Sequence, residues 1–119
     1  MKPLKAILWL AVAAAAAAIQ SDSPPDGKQL FAKRCSGCHA LDRDLEGPRL
    51  RGVYGRAAGT VKSFQYSDAL RNTGITWGSE TLDKWLKDPE TVAPNNGMAF
   101  RVESAEERKA LIEYLKQIK

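Results

Sequence analysis

Cys35-Ser36-Gly37-Cys38-His39 holds the only two cysteines and the only histidine of the 119-residue chain. Two thiols separated by two residues, with an imidazole next in line, form the C-x-x-C-H pattern of covalent haem attachment. Each thiol adds to one vinyl group of the macrocycle, and the adjoining imidazole reaches the iron from the same side. One haem with one histidine ligand would use every cysteine and histidine present. Other readings of the pattern fit less well. A structural zinc site wants four Cys/His ligands, and this chain offers three, all adjacent. A thioredoxin-like dithiol opens a helix in a βαβ context. Here a helix reading precedes the cysteines and no β-rich run follows. A Cys35–Cys38 disulfide would close a tiny loop and constrain little.

Working outward, the N-terminus reads as a targeting segment. Lys2 and Lys5 form a basic start, residues 6–19 are apolar and dominated by alanine, and Gln20-Ser21-Asp22-Ser23-Pro24-Pro25 is polar and breaks structure. Basic, apolar and small-residue regions in that order make a secretory signal. Residues 1–18 are assigned to it, with cleavage after Ala16-Ala17-Ala18, then a short polar linker at 19–26 and one domain at 27–119. The alternative is an uncleaved anchor, although the apolar run falls short of the roughly 20 residues a span needs. Export to the periplasm suits covalent attachment, because a loose haem would be lost there.

The net charge is +4 over the whole chain. Without Lys2 and Lys5, 16 basic side chains stand against 14 acidic ones, a net +2. Two haem propionates would nearly cancel that, and no basic cluster suggests nucleic acid. A domain this small is only marginally able to bury a core, and a haem would complete one.

The patterning is all-α with long loops. Asp26 is placed to cap a helix over Gly27–Arg34. Residues 42–47 form a charged loop, and the glycines at 47, 52, 55 and 59 mark 47–60 as loop. Residues 67–71 suit one helical turn. Ser79–Lys87 reads as a helix with Ser79 as cap, Leu82, Trp85 and Leu86 inward, and Pro89 as its stop. Ser104-Ala105-Glu106-Glu107 is a capping box before a last helix whose Ala110, Leu111, Tyr114, Leu115 and Ile118 share a face. Glycine-rich loops this long need something to organise them, and a haem would serve.

His39 supplies one side of the iron. Methionine, histidine, lysine or nothing supplies the other. No second histidine exists, and Met1 leaves with the signal, so Met98 is the candidate. It follows the turn-rich Pro94-Asn95-Asn96-Gly97, where a methionine has less packing reason than on a helix, although single methionines also fill core gaps. A thioether is soft and neutral. It raises the reduction potential and closes the sixth site, which favours electron transfer over O₂ or peroxide chemistry.

With these segments on the page, the chain resembles a class I c-type cytochrome of the mitochondrial cytochrome c and bacterial cytochrome c2 type. The likeness runs from Gly27 to Leu115. It is carried by Gly27-Lys28-Gln29-Leu30-Phe31, Gly47-Pro48-Arg49-Leu50, Gly52-Val53-Tyr54-Gly55-Arg56, Tyr66-Ser67-Asp68-Ala69, Gly74-Ile75-Thr76-Trp77, Met98-Ala99-Phe100 and Leu111-Ile112-Glu113-Tyr114-Leu115. The resemblance implies the class I cytochrome c fold, three to five helices with long loops wrapped around one haem c held through Cys35 and Cys38. It implies that Gly27 admits Tyr114 and its helix, that the Pro48 carbonyl accepts the His39 Nδ1–H, and that Arg56, Tyr66 and Trp77 contact the haem propionates. Leu50, Leu82, Leu86 and Phe100 would wall the haem, with both thiols on the rim of the cavity. The chain departs from the family in a shorter 39–48 segment and in Asn96, whose amide would replace a threonine hydroxyl toward a propionate. Trp85 stands where a tyrosine usually bonds the methionine sulfur, Gly97 replaces a lysine, and Leu70 replaces an asparagine. The expected function is a periplasmic, monomeric, monohaem electron carrier without enzymatic turnover, working between redox proteins that are membrane-bound. The alternatives are a haem subunit of a larger oxidase or dehydrogenase, and a haem enzyme or gas sensor with a labile Met98.

Overall fold

A computed structural model describes residues 2–13 and 23–119. Residues 2–13 carry no regular secondary structure, and Leu4, Ile7, Leu8, Trp9, Leu10 and Val12 are exposed. The expected cleavage point after Ala18 lies outside the described residues. No helix among the described residues is long and apolar enough to cross a membrane.

Among the described residues five helices follow in order: α1 (Gly27–Arg34), α2 (Asp68–Arg71), α3 (Ser79–Lys87), α4 (Pro89–Val92) and α5 (Ala105–Gln117). The described residues hold one isolated antiparallel bridge, Ala57 to Thr76, and no strand. The all-α expectation stands.

Local chemistry sets the helix ends. Asp26 Oδ1 accepts the N–H groups of Lys28 (3.0 Å) and Gln29 (3.3 Å), two donors that α1 leaves without an internal partner. Ser67 caps α2 through the Leu70 N–H at 3.3 Å. Ser79 does not cap α3. That helix starts at Ser79 with Gly78 as its N-cap, and Thr81 Oγ1 accepts the Gly78 N–H at 2.8 Å. The Ser79 hydroxyl instead meets the Tyr54 hydroxyl at 2.9 Å. Pro89 does end α3, and it also opens α4, a turn capped by Asp88 Oδ1 on the Glu90 N–H at 3.2 Å. Proline suits a first helical position because its missing N–H has no partner to lose there. At α5, Ser104 Oγ accepts the Glu107 N–H at 3.3 Å, but the Glu107 carboxylate pairs with Arg34 rather than completing the box.

The terminal helices pack on each other at Gly27. A Cβ there would stand 2.8 Å from the Ala110 carbonyl carbon and 2.9 Å from Tyr114 Cβ, so only glycine admits α5 this close. Beside it the Phe31 and Tyr114 rings lie 5.4 Å apart. Helix α3 also packs on α5. Arg108, 6 % exposed, joins these parts. Its Nε meets Asp83 on α3 at 2.8 Å, and its Nη1 donates to the Val102 and Glu103 carbonyls at 2.9 Å each. The core draws as much from loops as from helices: Val53, Ala58, Tyr66 and Trp77 are buried with Leu82, Trp85, Leu86 and Leu111.

Candidate functional site

The turn that ends α1 gathers the three reactive side chains. The N–H groups of Cys38 (3.2 Å) and His39 (2.9 Å) both donate to the Cys35 carbonyl. Residues 35, 38 and 39 therefore share one helical face, as positions three and four apart do. Cys35 is half-buried against the core, Cys38 is exposed, and both thiols are free. Burial pushes the Cys35 thiol up to about 11. The Cys38 thiol lies 3.5 Å from Glu46 Oε2 and is raised too, chiefly by that contact. A dithiol oxidoreductase needs a lowered pKa to populate a thiolate nucleophile, and both thiols depart in the opposite direction.

His39 sits in a slot shaped by glycine. A Cβ at Gly47 would stand 2.7 Å from both ring nitrogens, so the imidazole lies flat on that backbone. Its Nδ1 lies 2.8 Å from the Pro48 carbonyl, the contact that the resemblance implied. A carbonyl can only accept, so the proton sits on Nδ1 and the Nε2 lone pair is left for a metal. Burial pushes the His39 pKa down, against a smaller upward pull from the Pro48 bond, and so favours the neutral imidazole.

Residues 94–98 form a tight strap that reaches the same cavity as His39. Asn96 Oδ1 accepts the Met98 N–H at 2.6 Å, while Asn96 Nδ2 donates to the Ala93 carbonyl at 2.9 Å. These bonds use one of the two N–H donors of the amide, and Asn96 also lines the same cavity as Met98. The asparagine shapes the loop that presents Met98.

His39 and Met98 line one cavity of about 330 Å³, together with Cys38, Pro48, Leu50, Arg56, Tyr66, Trp77, Leu82, Leu86 and Asn96. Of the anticipated residues, Cys35 and Phe100 are absent from the lining. The Phe100 ring instead lies 5.4 Å from the Arg34 guanidinium carbon and packs on the core. Trp85 joins the lining, its ring 5.3 Å from Trp77 and edge-on to it. Arg56 spends Nη1 on the Arg49 carbonyl (2.8 Å) and Nη2 on the Arg51 carbonyl (2.7 Å), which fixes the loop below the cavity. Its burial lowers its pKa. The Tyr66 hydroxyl accepts the Val61 N–H at 3.2 Å and keeps its own proton, which burial holds more tightly.

Sequence reasoning passed over Gly47, Glu46 and Phe64 as parts of this lining, and over Asp44. Asp44 Oδ1 accepts the Arg49 N–H at 3.0 Å and Nε at 3.4 Å, and its Oδ2 accepts the Ser63 hydroxyl at 2.5 Å. Only the adjacency of Glu46 to Gly47-Pro48 offered a sequence signal. Nothing in the charge pattern separated Asp44 from Asp42.

The residues fit a haem. Apolar walls, a thiol on the lining, a neutral imidazole with its Nε2 free and one thioether suit an iron macrocycle, and the slot at Gly47 accommodates the imidazole. The described residues hold no cluster of three or more His, Cys, Asp or Glu side chains suited to a bare metal ion.

Comparison with known proteins agrees. The cytochrome c family profile matches residues 25–119. Cytochrome c2 iso-2 of Magnetospirillum molischianum is 46% identical over 88 residues, covering 71% of this chain and 91% of its own. Cytochrome c2 of Blastochloris viridis is 36% identical over 121 residues, covering 98% of this chain and 94% of its own. Among solved structures, cytochrome cH from Methylobacterium extorquens superposes with a TM-score of 0.72 at 35% identity, covering 77% of this chain and 98% of that one. The chain belongs to the cytochrome c family, as a class I, monohaem electron carrier whose one haem c is held covalently through Cys35 and Cys38.

Proposed function

We propose that the protein shuttles single electrons in the periplasm, with iron held between His39 and Met98, and that it turns over no substrate. The observation that carries the reading is the shared cavity of a neutral imidazole and the single methionine after position 1. When bound, the haem supplies a one-electron iron couple. The chain does the rest. His39 offers Nε2 while Pro48 holds its Nδ1 proton in place, which fixes ring orientation and raises ligand basicity. Met98 offers a soft, neutral donor that favours the reduced metal and leaves no open position for small gases. Leu50, Leu82, Leu86 and Trp77 exclude water. Arg56, Tyr66 and Trp77 are the polar groups available to the haem carboxylates. The exposed Cys38 side of the cavity is where a partner can approach the cofactor edge.

The N-terminal reading is part of the same proposal. Residues 1–18 direct export and are removed, and the remaining protein works as a monomer between membrane-bound redox proteins. A redox titration of the holo-protein tests the core of it. The expected result is one reversible one-electron wave, no CO binding by the reduced form, and a weak near-infrared sulfur-to-iron band in the oxidised form that Met98→Ala abolishes. A wild type that lacks the band, or that binds CO when reduced, would overturn the Met98 assignment and point to a sensor or enzyme.

A further inference from the structure

The peptide between Pro48 and Arg49 is held at both ends. Its carbonyl oxygen accepts the His39 Nδ1–H at 2.8 Å, and its N–H donates to Asp44 Oδ1 at 3.0 Å. One amide therefore joins a carboxylate to the imidazole. An anion that draws on the amide proton pushes electron density through the conjugated N–C–O unit onto the oxygen, and hydrogen bonds in such chains strengthen one another. A stronger acceptor at Nδ1–H makes Nε2 a better donor to iron, and stronger donation favours the oxidised metal. We propose that Asp44 is a positioning residue that acts on His39 through the Pro48–Arg49 peptide and holds the reduction potential of the haem below the value that a neutral residue at 44 would give. The inference rests on His39 as an iron ligand.

The surroundings of Asp44 suit this role. Its carboxylate is half-buried, and hydrogen bonds from Ser63 first and the Arg49 N–H second hold it below the usual carboxylate range, so it is charged at neutral pH. Arg49 Nε stands 3.4 Å from Oδ1, which mutes the field of the carboxylate in open space. The Arg49 N–H at 3.0 Å is the nearer of the two donors to that oxygen. Arg56 Nη1 fixes the next peptide by its bond to the Arg49 carbonyl at 2.8 Å. Asp42, in the same loop, is exposed, pairs with Arg51 and makes no bond to the Pro48–Arg49 amide, which makes it a natural control.

The test uses haem-loaded protein and two readouts, the midpoint of a redox titration and the proton resonance of His39 Nδ1–H in the ferrous form. Asp44→Asn keeps an oxygen acceptor and removes the charge. It should raise the midpoint and move the Nδ1–H resonance upfield. Asp42→Asn removes a nearby charge that makes no bond to the Pro48–Arg49 amide. It should leave the Nδ1–H resonance in place and move the midpoint less. The proposal is overturned if Asp44→Asn leaves that resonance where the wild type has it, or if Asp42→Asn moves both readouts as far. Should Asp44→Asn fail to take up haem, Asp44→Ser supplies a neutral acceptor and the same two readouts decide. The ligand reading is checked separately by the ring-current shift of the His39 ring protons in the wild type. Its absence sinks both readings, whereas its presence with an unmoved Nδ1–H sinks only the role of Asp44.

Discussion

Gly47 governs the histidine side of the site by what it lacks. A methyl group at that position meets both ring nitrogens inside van der Waals distance, so the imidazole must tilt away and leave the Pro48 carbonyl. Gly47→Ala is therefore expected to weaken iron ligation by His39. Visible spectra of the reduced holo-protein with and without CO read this out, and a variant with the wild-type spectrum and no CO binding contradicts it. The attachment pair Cys35 and Cys38, and the places of His39 and Met98 on the cavity, were legible in the sequence because each belongs to a residue type too scarce to have competing uses. Gly47 was not, because Gly47-Pro48 reads equally well as loop punctuation. The local role of Asn96 was hidden for a related reason. An asparagine two residues before a backbone N–H can close a turn on itself, and Asn96, through that bond to Met98, shapes the loop as well as lining the cavity.

At the scale of elements, α1 and α5 were readable from caps and apolar spacing, and α3 from apolar spacing alone, since Gly78 rather than Ser79 is its cap. The errors came where one residue serves two elements. Pro89 ends α3 and begins α4, so a reading of proline as a stop missed the second helix. Glu107 fits a capping box in sequence, yet a tertiary partner, Arg34, takes its carboxylate. Arg108 resembles any surface cation until the fold brings Asp83 and two loop carbonyls around it. The close approach at Gly27 carries a quantitative expectation. Gly27→Val in the holo-protein should lower stability by about 1–3 kcal/mol, since overpacking must move α5 or strain the new side chain. The denaturant midpoint measures it, and an unchanged midpoint would mean that the helices do not meet there.

For the molecule as a whole, the cavity is the feature that sequence could imply but not shape. Well-packed interiors leave few voids larger than a water molecule, and about 330 Å³ of lined space in a small domain is destabilising unless filled. Blocking attachment with the Cys35→Ser/Cys38→Ser double variant should therefore leave a chain with no sharp thermal transition and little near-ultraviolet circular dichroism, while the holo-protein melts cooperatively. A haem-free variant that melts as sharply and as high as the holo-protein would refute that dependence.

The pairing of α1 with α5 sets a timetable as well as a shape. A ribosome delivers Gly27–Arg34 well before Ala105–Gln117, and the two must close nearly the whole domain between them, with the loop-closure entropy that entails. Until the final turns appear, α1 has no partner, and an eight-residue helix alone is marginal in water. For most of its synthesis the segment that carries Cys35 and Cys38 therefore lacks the packing partner that holds it in the finished fold.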